Sequence, residues 1–201
     1  MSATSQTDHL TASLREARRA LDALLADGAA LERLAGIPVL LSERLSAGRK
    51  VLVCGNGGSA CDAAHFAEEL TGRFRQDRPA LAAIACTDAG HITCAANDFG
   101  FEHVFSRWVE ALGQKGDVLV VLSTSGNSAN IIRALGTARA RGLLSLGLLG
   151  MNGGKTQALC DHAVVVPGET SDRIQELHML ILHAWVAGVE RVMFGNAPRR
   201  G

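Results

Sequence analysis

Hydroxyl side chains are concentrated in one short segment, residues 123–128, which reads STSGNS. The segment follows an apolar run, 118–122, and precedes a helical pattern over 129–141. A strand that leads into a helix start offers free backbone N–H groups and the positive end of the helix dipole to an anion. Because the segment has no lysine, it does not match a nucleotide P-loop. It predicts a binding site for the phosphate of a small molecule, the alternative being an ordinary strand-to-helix turn.

A second loop of this type, residues 55–60 (GNGGSA), follows the apolar run 50–54. Glycine lets the backbone approach a ligand closely, and Ser59 could cap the next helix. Both loops would lie at the carboxyl ends of parallel strands, where open α/β sheets bind ligands. A tight turn is the alternative. A dinucleotide fingerprint is a weaker one, because that fingerprint normally sits in the opening strand–helix unit, whereas residues 1–48 are helical here.

The helix after this loop carries His65 and Glu69, four residues apart and therefore on one face. A histidine and a glutamate at this spacing can share a metal ion or cooperate in proton transfer. Glu68, three residues from His65, is the competing partner. The alternative is an ordinary ion pair on a solvated helix face.

The last helix offers Gln175, His178 and His183. Gln175 could instead close a capping box over residues 172–175, and a histidine in a buried helix is often only a core residue. Gln175 and His183 lie about 12 Å apart along a straight helix. One metal ion could bind both only if both side chains reach far, or if the two come from different subunits.

Asn97 and Asp98 belong to the segment 97–100 (NDFG), which follows the second predicted strand. Asn-Asp before glycine is typical of a turn. The segment also falls on the carboxyl-end side of the sheet, where an aspartate could bind sugar hydroxyls. Both interpretations stay open at this point.

These candidates need a scaffold of alternating strands and helices. Strands are predicted over 50–54, 80–85, 118–122, 143–149 and 163–166. Helices are predicted over 8–27, 29–47, 59–71, 102–113, 129–141, 155–160 and 172–193. Near-continuous apolar strands between helices predict an α/β fold with a parallel sheet covered on both faces.

No linker interrupts this pattern, so we expect one domain over 1–201. Its parts would be N-terminal helices over 1–48, an α/β core over 49–167 and a C-terminal helix over 171–194. The last helix has little polar face, which predicts burial inside the chain or between subunits. We therefore expect a homo-oligomer.

Composition excludes several classes of function. The chain has 201 residues with 20 basic and 20 acidic side chains, so no basic excess favours nucleic acid. Scattered charges in residues 1–20 exclude a signal core, and no uncharged stretch reaches the roughly 18 residues of a membrane span. The five cysteines form no C-x-x-C pair. We therefore expect a cytoplasmic protein with reduced thiols and no membrane partner.

Five motifs together resemble the phosphoheptose isomerase family, whose members have a sugar isomerase (SIS) domain and act on sedoheptulose 7-phosphate. They are 54–59 (CGNGGS), 64–70 (AHFAEEL), 97–101 (NDFGF), 123–128 (STSGNS) and 173–178 (RIQELH). They follow the family's order and approximate spacing, and the likeness extends from the first helices to about Gly195.

The resemblance implies a three-layer fold with a flavodoxin-like sheet of five parallel strands. It implies a homotetramer with active sites at subunit interfaces. It also implies an aldose–ketose isomerase that converts sedoheptulose 7-phosphate to D-glycero-D-manno-heptose 7-phosphate. That reaction begins the synthesis of ADP-heptose or GDP-heptose for bacterial lipopolysaccharide or related glycans.

The family's site residues transfer to matching positions of this chain. One zinc ion per subunit would be bound by His65, Glu69, Gln175 and His183. The phosphate would contact Ser59, Ser123, Thr124, Ser125 and Ser128. Asn56, Gly57, Gly58, Asn97 and Asp98 would line the sugar, with Glu69 and Gln175 also touching the substrate.

In the implied reaction, Glu69 is the base that takes a proton from C1 and His183 is the acid that serves the oxygens. Zinc would stabilise the negative charge of the enediolate. Because a zinc-bound carboxylate is a poor base, either its coordination loosens during turnover or zinc mainly organises the site. Two other functions compete. One is a non-catalytic SIS-domain regulator that binds a phosphosugar or the replication initiator protein, and the other is a nicotinamide-dependent oxidoreductase.

Overall fold

The computed structural model of this protein describes residues 3–75 and 77–195. Its centre is a sheet of five parallel strands in the order β2-β1-β3-β4-β5. The strands are β1 (Val51–Gly55), β2 (Ala83–Ala85), β3 (Val118–Ser123), β4 (Leu144–Leu149) and β5 (His162–Val165). This is the flavodoxin-like order, so the predicted sheet is confirmed.

Seven α-helices surround the sheet in the described part of the chain. They are α1 (Ala3–Ala26), α2 (Gly28–Ser46), α3 (Gly58–Thr71), α4 (Ala89–Phe99), α5 (Val104–Leu112), α6 (Ala129–Arg141) and α7 (Ser171–Phe194). Two short 3-10 helices cover Phe101–His103 and Gln157–Leu159. The helices lie on both faces of the sheet, which gives the three-layer α/β fold with an N-terminal helical extension.

Strand β1 shows how the two faces form. All of its residues are buried, and successive side chains point to opposite faces. Val51 and Val53 pack in the cluster that includes α2, α3 and α7, whereas Leu52 and Cys54 pack in the cluster of α4, α5 and α6. Burial on both faces explains why the strands read as continuous apolar runs.

Helix α7 is a core helix of this fold. It is long and apolar enough to span a membrane by length and composition alone, but 44% of its most apolar window is buried within the protein. It packs against α2 and α3. The Trp185 indole N–H donates to the Leu34 carbonyl at 3.1 Å. A helix apolar nearly all round is expected at such a position.

Three details of the predicted elements are wrong. Helix α4 was not predicted, although Asp88 caps it by accepting from the His91 N–H at 2.7 Å. Residues 155–160 form only a 3-10 turn over Gln157–Leu159. Ser59 does not cap α3, since the N-cap residue is Gly57 with a φ of 56°. In each case the conformation of a short segment depends on contacts with neighbouring elements and not on a periodic pattern in its own sequence.

Candidate active site

The two predicted ligand loops, the glycine loop (residues 55–60) and the serine loop (residues 123–128), lie side by side. Strands β1 and β3 pair in parallel register, with Gly55 opposite Leu122, so their carboxyl ends coincide. The Asn56 amide donates to the Asn130 oxygen at 3.0 Å, and the Asn130 amide donates back at 2.8 Å. This reciprocal pair joins the glycine loop to the start of α6. It leaves each Asn56 amide atom one further hydrogen bond for a ligand.

The hydroxyls of the serine loop hold its backbone in a fixed shape. Buried Ser123 accepts from the Gly126 N–H at 3.0 Å, and Ser125 accepts from the Asn127 N–H at 3.3 Å. Thr124 Oγ1 accepts from the Ser171 hydroxyl at 3.3 Å. Ser128 is the N-cap residue of α6, but its side chain makes no capping bond. The loop therefore ends at an open helix N-terminus beside a hydroxyl, as an anion site requires.

The serine loop packs against a turn that contains Gly153 and Gly154, after β4, which the sequence analysis did not identify. Gly126 has a φ of 63°, and a Cβ there would lie 2.1 Å from the Gly153 carbonyl oxygen. The Thr156 N–H donates to the Gly126 carbonyl at 2.9 Å, and the Lys155 N–H donates to Asn127 Oδ1 at 3.2 Å. The glycines after β4 were the available signal. Only glycine permits backbones this close.

Gln175 reaches the glycine loop and not the helix start. Its Nε2 lies 3.4 Å from the Oγ of buried Ser59. A Cβ at Gly58 would lie 2.7 Å from the Gln175 amide, so glycine leaves room for the amide in this position. The capping-box alternative for Gln175 is wrong. Its amide lies instead beside the two ligand loops.

Helices α3 and α7 bring three possible metal ligands together. His65, Glu69 and His183 each place a ligating atom within 4.8 Å of the other two. Glu69 Oε1 lies 3.3 Å from His65 Nε2 and 3.5 Å from His183 Nε2. Glu68 is the weaker partner of His65, at 3.9 Å and with an exposed side chain. We call His65, Glu69 and His183 the His-Glu-His cluster.

The chemistry of this cluster fits a metal ion. The Glu69 side chain is only 10% exposed, and its Oε2 is buried without a hydrogen-bond partner among the described residues. A buried carboxylate oxygen is costly unless a donor or cation satisfies it. Two imidazoles and one carboxylate are a common donor set for Zn²⁺, which keeps a fourth position open in catalytic sites. The cluster could therefore hold such an ion.

Not all predicted site residues join this arrangement. Asn97 and Asp98 lie in the last turn of α4, where Asn97 donates to Asp98 Oδ1 at 2.7 Å. Both are exposed, and neither bonds to another candidate residue within the described chain. The turn interpretation of this segment is wrong, because Gly100 ends a helix there with a φ of 92°. The Gln175 amide lies at Ser59, in the first turn of α3, whereas Glu69 lies near the end of that helix.

Two residues near the cluster were missed. Asp62 lies one turn before His65, and burial raises the pKa of its carboxyl while His65 opposes that shift. The three-residue spacing to His65 was the available signal. The Phe74 ring stacks on the His183 imidazole, with centroids 5.6 Å apart and planes 9° apart. No sequence pattern predicts that contact, because it depends on how α7 packs.

His178 is a core residue rather than a ligand. It is fully buried, and burial lowers the pKa of its imidazole to about 4. The side chain is therefore neutral near pH 7. Of the two histidines on α7, only His183 reaches the cluster.

Comparison with known proteins identifies the family. The sequence model of the SIS domain matches residues 14–150. The phosphoheptose isomerase of Fusobacterium nucleatum is 58% identical over 154 residues, covering 77% of this chain and 79% of that protein. That of Proteus mirabilis is 49% identical over 187 residues, covering 92% and 97%.

A solved structure gives the same result. The phosphoheptose isomerase of Neisseria gonorrhoeae superposes with a TM-score of 0.86 at 41% identity, covering 92% of this chain and 98% of that one. The fold, the five motifs and these relatives agree. The chain belongs to the SIS domain family and, within it, to the phosphoheptose isomerases, which are enzymes.

Proposed function

We propose that this protein converts sedoheptulose 7-phosphate to D-glycero-D-manno-heptose 7-phosphate. The relatives named phosphoheptose isomerase support this assignment. The observation that carries it is the buried Glu69 carboxylate, which lies within 3.5 Å of both His65 and His183. A site built only to bind a phosphosugar would not need a buried base between two imidazoles. We therefore do not propose the regulator or the oxidoreductase.

The serine and glycine loops bind the phosphate end of the substrate. Ser59, Ser123, Thr124, Ser125 and Ser128 contact the phosphate, and the N-terminus of α6 adds its N–H groups. Asn56, Gly57, Gly58 and Gln175 line the sugar, together with Asn97 and Asp98. Two exposed residues on α4 can serve the sugar only where another surface faces them, which agrees with a shared site.

Isomerisation moves the carbonyl from C2 to C1. Glu69 takes the C1 proton, the resulting enediolate accepts a proton at C2, and His183 carries the proton between O1 and O2. The proton lost from carbon and the one gained balance, so no oxidant or reductant is needed.

A zinc ion fits the His-Glu-His cluster, with Gln175 as a further ligand. When bound, it would supply positive charge for the oxygens of the reacting carbons. His65 holds the ion and orients the Glu69 carboxylate from the same face of α3.

Gln175 supplies this ligand from a neighbouring subunit. Its amide lies at Ser59, and helical rise places it about 12 Å along α7 from His183. Ser59 lies about 15 Å along α3 from Glu69. Zinc–ligand bonds of about 2 Å cannot bridge such spans, so we infer that the Gln175 and the His-Glu-His cluster that share one ion come from different chains. We propose a homotetramer with sites at subunit interfaces.

The exposed apolar side chains agree with assembly. Leu10, Leu14 and Leu25 on α1 and Leu180 on α7 are each at least 45% exposed. We further propose that residues 1–201 form one domain, that the enzyme is cytoplasmic, and that it supplies heptose precursors for lipopolysaccharide or related glycans.

The reaction can be tested with purified protein and sedoheptulose 7-phosphate in deuterated water. We expect an aldoheptose 7-phosphate that carries deuterium at C2, because the proton that Glu69 takes from C1 exchanges with solvent before a proton returns to C2. We expect no turnover of fructose 6-phosphate at a comparable rate. The Glu69→Gln variant serves as the inactive control. Failure of a folded, zinc-loaded oligomer to turn over sedoheptulose 7-phosphate would contradict the proposal.

A further inference from the structure

The separation of Glu69 and His183 depends on how two helices pack. Glu69 is on α3 and His183 is on α7, and their side-chain atoms lie 3.5 Å apart. A buried ion pair lies between the same two helices. Arg78 Nε donates to Glu190 Oε1 at 3.1 Å, and both side chains are only 1% exposed.

Arg78 is attached to the helix that carries the candidate base. Its Nη2 donates to the carbonyl of Glu69 itself at 2.6 Å, and its Nη1 donates to the carbonyl of Leu70 at 2.7 Å. Both carbonyls belong to the last turn of α3, whose oxygens have no intrahelical partners. The guanidinium fork therefore caps α3 at the peptide that follows the Glu69 side chain.

Glu190 is attached to the helix that carries the candidate acid. It follows His183 by seven residues, so the two lie on the same face of α7, about 10 Å apart along its axis. Its second oxygen, Oε2, accepts from the Arg75 N–H at 3.1 Å. Arg75 follows Phe74, whose ring stacks on the His183 imidazole. One carboxylate thus connects Arg78 with the segment that covers His183.

We propose that Arg78 and Glu190 form a positioning pair that sets the separation between Glu69 and His183. The part of this inference that concerns a metal ion rests on the proposed function. Stability alone is a poor reason for the pair, because apolar residues of similar volume often replace a buried ion pair without loss. The arginine fork supplies what they cannot: directed hydrogen bonds to the Glu69 and Leu70 carbonyls and to Glu190.

Two variants separate positioning from folding. The double variant Arg78→Met/Glu190→Met removes both charges together, so it leaves no uncompensated buried charge. Arg78→Lys keeps the charge but loses the planar fork. Asp117→Asn is the matched control. Asp117 is buried, pairs with Lys50 and accepts from the Gln114 N–H at 2.9 Å. It directly precedes β3, at the amino-terminal ends of the strands, whereas the ligand loops lie at the carboxyl ends.

Each protein is measured for Tm, for Co²⁺ affinity by visible absorption of the metal-free form, and for kcat and KM. We expect the double variant to bind Co²⁺ about 10-fold more weakly and to lose about 10- to 100-fold in kcat. Its KM stays near the wild-type value, because Arg78 does not contact the phosphate loops. Arg78→Lys shows the same pattern to a smaller degree. Asp117→Asn changes Tm only.

A double variant whose Co²⁺ affinity and kcat match those of Asp117→Asn overturns the inference. If the double variant does not fold, the Co²⁺ affinity and kcat of Arg78→Lys are compared with those of Asp117→Asn instead, and equal values overturn the inference. If wild-type protein binds no Co²⁺, the metal part of the proposed function fails, and kcat alone decides. In that case a larger kcat loss than in Asp117→Asn supports the positioning pair, and an equal loss overturns it.

Discussion

Glu69 Oε1 lies 3.5 Å from His183 Nε2, although more than half of the chain separates the two residues in sequence. Helix α3 supplies the carboxylate and helix α7 the imidazole, and both pack on the same face of the sheet. The proposed base and the proposed acid therefore lie close enough to act on one substrate. The predictions below test the roles of these residues and of the loops around them.

Replacing Glu69 with Gln should abolish turnover while folding and assembly are retained. The amide keeps the shape of the side chain but cannot accept the C1 proton, so kcat should fall by about 100-fold or more. Glu68→Gln is the matched control, since Glu68 is the adjacent exposed glutamate of the same helix. It should keep most of the activity. Wild-type kcat in Glu69→Gln would contradict the assignment.

Removing the metal should remove activity reversibly. We expect turnover to disappear after chelation and to return with Zn²⁺, and Tm to rise on re-addition because an ion that binds only the folded state stabilises it. His65→Gln should lose this response, since it removes one ligand of the cluster. Unchanged turnover in protein shown by metal analysis to be metal-free would exclude zinc from the mechanism.

Replacing Ser125 with Ala should raise KM. The change removes a hydroxyl from the loop proposed to bind phosphate, and a hydrogen bond to a charged group contributes about 1.5–3 kcal/mol, or about 10- to 100-fold in affinity. Thr137→Ala is the control, because it removes an exposed hydroxyl of α6 that donates to the Arg133 carbonyl of the same helix at 3.2 Å. An unchanged KM for Ser125→Ala would place the phosphate elsewhere.

Subunit mixing should reveal the shared site. Glu69→Gln and Gln175→Ala should each be nearly inactive as homo-oligomers. If Gln175 of one subunit completes the site that contains Glu69 of another, co-expressed differently tagged chains should form mixed oligomers with restored activity. Some of their sites would then contain both native residues. Mixed oligomers with no more activity than the parents would place both residues in one chain's site.

His178 should make the metal-free protein less stable in mild acid. Burial lowers the pKa of its imidazole from 6.5 to about 4, so between those values the unfolded chain binds a proton that the folded protein does not. The free energy of unfolding should therefore fall by about 2 kcal/mol between pH 7 and pH 5. Urea unfolding with chelator present measures it. His178→Gln should show a smaller loss, and an equal loss would contradict this account.

Local patterns carried much of the prediction. Apolar runs separated by helical periods indicated the parallel sheet, because strands buried on both faces must read as continuous apolar segments. The four-residue spacing of His65 and Glu69 placed both on one face of α3, as observed. The serine and glycine loops were located from composition, since few other residues suit a strand-to-helix turn that approaches an anion.

Other features had no local signal. Helix α4 was not predicted, so Asn97 and Asp98 were placed in a connection, either as a turn or as a segment that binds sugar hydroxyls. The Arg78–Glu190 pair joins residues 112 positions apart. Spacing on one helix also could not show that Gln175 turns toward Ser59 while His183 turns toward Glu69.

The sequence by itself determined most of the elements and the chemical groups that they carry, because periodicity, turn residues and helix spacing act within a few residues of one another. Only the tertiary structure decided which groups meet. The crossing of α3 and α7 on the sheet brings His183 to the buried Glu69, and the parallel register of β1 and β3 brings the two ligand loops together. Both depend on packing between segments far apart in the chain, which no local pattern encodes.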